Sequence, residues 1–123
     1  TGTGTYLKRK NPDLKVIAVE PAASAVLSGR AAGPHKIQGI GAGFVPEVLD
    51  TGIYDEIITV DNDVPFATSR CWRAQRGCSQ AYPQALSYML PSAAKRPENE
   101  GKTIVALLPD SGDRYYSTPL FVE

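Results

Sequence analysis

Gly39-Ile40-Gly41-Ala42-Gly43 is the stretch most suited to holding an anion, because backbone N–H groups approach a phosphate closely only where no Cβ intervenes. It follows no predicted strand directly and matches neither the dinucleotide fingerprint nor the P-loop, so a flexible turn is the favoured reading. Pro109-Asp110-Ser111-Gly112 stands at the carboxyl end of a predicted parallel strand, the edge where α/β proteins place ligands. Turn chemistry explains that string as well. His35 is the only histidine and Cys71 and Cys78 are the only cysteines, too few for a disulfide framework and wrongly spaced for zinc. No catalytic residue and no metal ligand is therefore assigned, and the cysteines are expected as free thiols in a reducing compartment. Asp13, Asp50, Asp55, Asp61 and Asp63 fall in predicted turns or caps and read as structural rather than as paired catalytic acids.

The elements that must position these loops follow from the apolar pattern. The chain has 123 residues, 42% of them hydrophobic, the size of one domain with a modest core. Thirteen basic residues against 13 acidic ones leave a formal net charge of +0, which disfavours nucleic acid or an anionic membrane as partner. No apolar stretch approaches the length needed to span a bilayer and no signal-type segment is seen, so a cytoplasmic location is expected.

Thr1 to Lys10 reads as a helix with a basic last turn, stopped by Asn11-Pro12. Val16 to Val19 and Glu56 to Val60 read as continuous apolar strands of a parallel sheet, and Thr103 to Leu108 as a third. Short helices are expected over Ala22 to Leu27 and Phe44 to Leu49, with a loop over Gly33 to Gly43 between them. Asp61-Asn62-Asp63 looks like the N-cap of a helix that runs on from Val64. Strand and helix alternate, which gives an α/β class with a partial three-layer parallel sheet and flanking helices.

Four strings resemble one family closely. They are Tyr6-Leu7-Lys8-Arg9-Lys10-Asn11-Pro12-Asp13, the run Gly33-Pro34-His35-Lys36-Ile37-Gln38-Gly39-Ile40-Gly41-Ala42-Gly43-Phe44-Val45-Pro46, then Ala94-Lys95-Arg96-Pro97-Glu98-Asn99, and the run from Pro109 to Phe121. Together they resemble the C-terminal part of cysteine synthase, or O-acetylserine sulfhydrylase. The resemblance implies the pyridoxal-phosphate (PLP) fold-type II, tryptophan synthase β-like architecture. It also implies a reaction in which O-acetylserine loses acetate through an aminoacrylate and sulfide adds to give cysteine. Further implications are a homodimer, and a partner in the C-terminal tail of serine acetyltransferase. By the same resemblance Gly39, Gly41 and Pro109 line the cofactor and active-site region.

Other parts of that machinery have no counterpart here. None of Lys8, Lys10, Lys15, Lys36, Lys95 or Lys102 has the sequence context of the family's Schiff-base lysine, which with the substrate-carboxylate loop would lie before Thr1. An ungapped alignment through Tyr6-Leu7-Lys8 places Thr1-Gly2 just after the family's phosphate loop, in the first turn of the helix that follows it. The chain is thus expected to be a single incomplete domain over 1–123, without catalysis or covalent PLP of its own. A non-catalytic module that docks the acetyltransferase tail is the competing reading.

Between Trp72 and Ala93 the resemblance fails. Arg76 to Pro91, with the adjoining bases of the Gln75 and Ser92 codons, can be encoded so that a neighbouring frame spells EGLLSGISSGAVLYAAL, a segment of the family type. Thus TCT CAG GCA TAT CCT CAG GCG, one spelling of Ser79 to Ala85, contains TCA GGC ATA TCC TCA GGC, which reads Ser-Gly-Ile-Ser-Ser-Gly. Each shifted codon has only a handful of meanings, so a match this long points to a compensated frameshift over 72–93. The family's pyridine-contacting serine would then fall at Tyr82-Pro83, and Pro83 and Pro91 would break the helix expected to cover the sheet.

Overall fold

The computed structural model describes residues 1–37, 39–62 and 91–107. Helix α1 spans Gly2–Lys10 and strands β1 and β2 span Ile17–Pro21 and Glu56–Val60; short 3-10 turns occupy Ala22–Ser24 and Pro97–Asn99. The basic last turn of Lys8, Arg9 and Lys10 complements the carbonyl end of α1. Asn11 ends the helix in extended geometry, and its side chain accepts the Asp13 N–H at 3.1 Å.

Gly2, Thr3, Gly4 and Thr5 are weak helix formers, so α1 depends on what it packs against. Gly4 lets it lie close to Ile53: a Cβ there would stand 2.7 Å from the Ile53 Cγ1. The Thr1 hydroxyl donates to the Val48 carbonyl at 2.8 Å and accepts the Asp50 N–H at 2.9 Å, fastening the start of the helix to the 46–50 turn. Asp55 fastens the other end, taking the Lys8 ammonium on one oxygen and the Val16 N–H on the other, both at 2.7 Å. These contacts hold its carboxyl below the usual range, first through the Lys8 hydrogen bond and then through Val16.

The two strands run parallel, with Ile17 opposite Glu56 and Pro21 opposite Val60. Pro21 is tolerated because it closes the strand. Against the sheet packs a small core of Ile37 and Val60, joined by Val19, Ile40 and Ile58. Two of its members, Ile37 and Ile40, come from the glycine-containing loop, so the core and the candidate site share residues.

Three expected elements are absent. Residues 22–27 form a 3-10 turn and further turns, and residues 44–49 form a turn in which the Leu49 N–H bonds the Pro46 carbonyl at 2.9 Å. Both stretches are too short to bear the cost of helix nucleation, and each finds partners in side chains and turns instead. Residues 103–107 join no ladder, and Val105 and Leu107 are 88% and 81% exposed. An apolar β-branched run becomes a strand only where a neighbour supplies hydrogen bonds, and β1 and β2 pair with each other alone among the described residues. Residues 91–94 are helical, and the Pro91 carbonyl accepts the Lys95 N–H at 3.1 Å, so Pro91 itself belongs to a helical turn. The predicted helix from Val64, Pro83 and Leu108 lie outside the described residues, as does 72–90 of the shifted segment.

Candidate functional site

The site is built at the carboxyl edge of β1 and β2, where parallel sheets gather loops that meet ligands. β1 ends in a buried carboxylate. Glu20 is 3% exposed, and its oxygens accept the backbone N–H of Leu27 at 2.8 Å, the N–H of Ser28 at 3.0 Å and the Ser28 hydroxyl. A buried charge needs such partners, and here they fold 20–28 back on itself so that Ala22 to Ser24 underlies the next loop. Sequence reasoning took Glu20-Pro21 only as the end of a strand. The available signal was an acid placed directly after an apolar run, with Ser28-Gly29 one turn beyond.

The loop over 33–43 then crosses that edge with several ties. Gly33 passes so near the carbonyl oxygen of Ala23 that a Cβ would collide with it. The Lys36 N–H donates to the Asn62 side-chain oxygen at 2.9 Å, so Asn62, expected in a helix cap, ties down this loop. Ile37 is buried, and the His35 Nε2 lies 3.0 Å from the Gly41 carbonyl oxygen.

Gly39, Gly41 and Gly43 take φ values of 84°, 69° and 81°, in the left-handed region. At Gly41 the constraint is double, since a Cβ would also lie 2.6 Å from the Pro21 Cγ and 2.7 Å from the His35 Nε2. Sequence reasoning named Gly39 and Gly41, and the structure brings Gly41 against Pro21 at the end of β1; Pro109 lies outside the described residues. The N–H groups from Gly39 to Phe44 donate to no described residue, an array with the chemistry to face an anion. Phe44, next to the loop, is 64% exposed.

Two of the described acids make structural contacts. Asp50 accepts the Gly52 N–H at 2.8 Å within its own turn, and Asp55 joins α1 to β1. Among the described residues no three His, Cys, Asp or Glu side chains converge as a metal site, and no helix is long and apolar enough to cross a membrane.

The lysines bear directly on whether PLP fits. Lys8 is ion-paired to Asp55, and Lys10, Lys15, Lys36, Lys95 and Lys102 are exposed. None stands in the sheltered position that a Schiff-base lysine requires. The residues present thus offer a loop that can line a cofactor pocket but not the group that binds the cofactor covalently.

No protein-family model matches the chain. It is 42% identical to cysteine synthase of Staphylococcus aureus over 121 residues, 98% of the chain and 39% of that protein. The chain therefore spans about two-fifths of the length of the curated relatives it matches. Among solved structures, cysteine synthase of Entamoeba histolytica superposes with a TM-score of 0.88 at 41% identity, over 98% of this chain and 36% of that one. An O-ureido-L-serine synthase superposes at 0.84 with 37% identity, covering 98% and 38%. An O-acetylserine-dependent cystathionine β-synthase of Helicobacter pylori does so at 0.78 with 33% identity, covering 98% and 39%. The alignment with cysteine synthases extends over nearly the whole chain, and the fold is the α/β fold of the PLP fold-type II enzymes.

Proposed function

We propose that the chain is a portion of a cysteine synthase, which converts O-acetylserine and sulfide to cysteine and acetate with PLP. These 123 residues alone do not carry out that reaction. The observation that carries the reading is the glycine loop at the carboxyl edge of the sheet. It lies where a ligand meets a parallel sheet, with N–H groups that donate to no described residue and glycine at 39, 41 and 43. The absence of a sheltered lysine argues against catalysis by this stretch, because a cofactor that acts as electron sink must be held and oriented by the protein. Incubating the purified chain with PLP, O-acetylserine and sulfide is the test. No protein-bound visible Schiff-base absorbance and no cysteine are expected, and clear turnover would overturn the reading.

A second reading is favoured by the exposed Phe44 and Val45 beside that loop. An apolar lip next to N–H donors that bond no described residue suits a peptide, so the chain alone acts as a binding module for the C-terminal tail of serine acetyltransferase. Titration with the tail peptide, without PLP, separates this from a chain that binds neither.

The third part of the proposal is the frameshift over 72–93. Flanking residues on both sides meet in the fold, since Glu56 precedes the segment, Arg96 follows it and the two are ion-paired. Both flanks carry family strings, so a shift inside the segment must be compensated within it.

A further inference from the structure

We propose that His35 is the positioning residue of the glycine loop, with its Nε2–H, in a single neutral tautomer, latching the Gly41 carbonyl and setting the backbone of residues 39–43. A carbonyl oxygen only accepts, so at 3.0 Å the Nε2 is the protonated nitrogen. In the neutral ring Nδ1 is then the bare nitrogen, and it is buried with no partner among the described residues, where an N–H would go unsatisfied. The loop needs such a latch. Left-handed geometry at Gly39, Gly41 and Gly43 leaves glycine's backbone freedom unrestrained by side chains, and from Gly39 to Val45 the His35 bond is the one hydrogen bond to a described residue. His35 is itself held in place, between the tight approach of Gly33 to Ala23 and the bond from the Lys36 N–H to Asn62, with Ile37 in the core.

The inference rests on the proposed function only in treating this loop as the ligand-facing one. Its readouts need no ligand, so failure of PLP or peptide binding leaves them untouched. The first is the ring nitrogen signature of His35 in the 15N-labelled chain. The Nε2-protonated tautomer is expected, whereas an Nδ1-protonated or averaged ring overturns the latch. The second is amide exchange from Gly39 to Phe44 in three variants. A glutamine amide reaches roughly the Nε2 position and an asparagine amide the Nδ1 position. His35→Ala and His35→Asn are expected to exchange about tenfold faster, with His35→Gln within about twofold of the parent. Unchanged exchange in His35→Ala, or no rescue by glutamine, overturns it. If His35→Ala does not fold, the tautomer and the glutamine–asparagine contrast decide.

Discussion

Arg96 grips Glu56 through two parallel hydrogen bonds of 2.8 Å each, joining residues 40 apart in sequence and fixing the 91–107 segment to the start of β2. The guanidinium holds the Glu56 carboxyl below its ordinary value of 4.5, chiefly through that hydrogen bond, with a smaller opposing effect from burial. A carboxylate with a depressed folded value stabilises above its ordinary range, and that stability is lost as pH falls through the folded value. The difference in urea midpoint between the parent and Glu56→Gln should therefore be largest near neutral pH and shrink in acid. Both side chains are about a third exposed, so added salt should shrink it too. A difference that grows in acid would contradict this assignment.

Glu20 makes a different kind of contact, because it is buried and its hydrogen-bond partners among the described residues lie within eight residues. Glu20→Ala should cost about 1–3 kcal/mol, since it strands the N–H groups of Leu27 and Ser28. Ser28→Ala removes only the hydroxyl bond and leaves both N–H bonds to the carboxylate, so about 0.5–1.5 kcal/mol is expected. Chemical denaturation of the two variants gives the order, and a larger loss from Ser28→Ala would contradict the carboxylate's central role.

The glycines separate backbone strain from crowding. Gly29 has φ 77° with nothing within 4 Å of where a Cβ would stand, so Gly29→Ala carries only the left-handed penalty of about 1–2 kcal/mol. Gly41 has φ 69° and two close neighbours, and Gly41→Ala adds overpacking against Pro21 and His35 of about 1–3 kcal/mol. Gly2 lies in α1 with open space around it, so Gly2→Ala should stabilise by about 0.4–1 kcal/mol. Thermal melts of the three variants should rank Gly2→Ala above the parent and Gly41→Ala lowest.

What was legible in the sequence was what local chemistry decides. β2 occupies the expected Glu56–Val60, and α1 ends at Lys10 before Asn11-Pro12 as its basic last turn suggests. β1 begins one residue later than expected and runs on through Glu20 and Pro21, because ladder pairing with β2 rather than apolarity sets its limits. The expected helices at 22–27 and 44–49 failed for a non-local reason. Glu20 draws the backbone at Leu27 and Ser28 into turns, and Thr1 takes the Val48 carbonyl and the Asp50 N–H. At the site, Gly39 and Gly41 were named by the family resemblance, whereas the Glu20 fold-back and the His35 bond depend on contacts that no periodicity encodes.

The frameshift makes a prediction at the level of single bases. For a neighbouring frame to read Ser-Gly-Ile-Ser-Ser-Gly across Ser79 to Ala85, the Ser79 codon must end in T, Gln80 must be CAG, Ala81 GCA, Tyr82 TAT, Pro83 CCT and Gln84 CAG. Each of these residues has synonymous codons, and most alternatives destroy the shifted reading: CAA for Gln80, for example, turns the shifted glycine into serine. Sequencing the locus through Trp72 to Ala93 should therefore find those bases, with an insertion and a compensating deletion at the borders. Synonymous codons that break the hidden frame would sink the idea and leave the segment as a natural variant. A peptide map adds the protein's side of the question. Peptides carrying Tyr82-Pro83 place the shift in the gene, and the polypeptide then has a phenol and an imino acid where the family places a small hydroxyl donor. Peptides carrying Gly-Ile-Ser-Ser-Gly place the error in the reading of the gene, and the hydroxyl is restored.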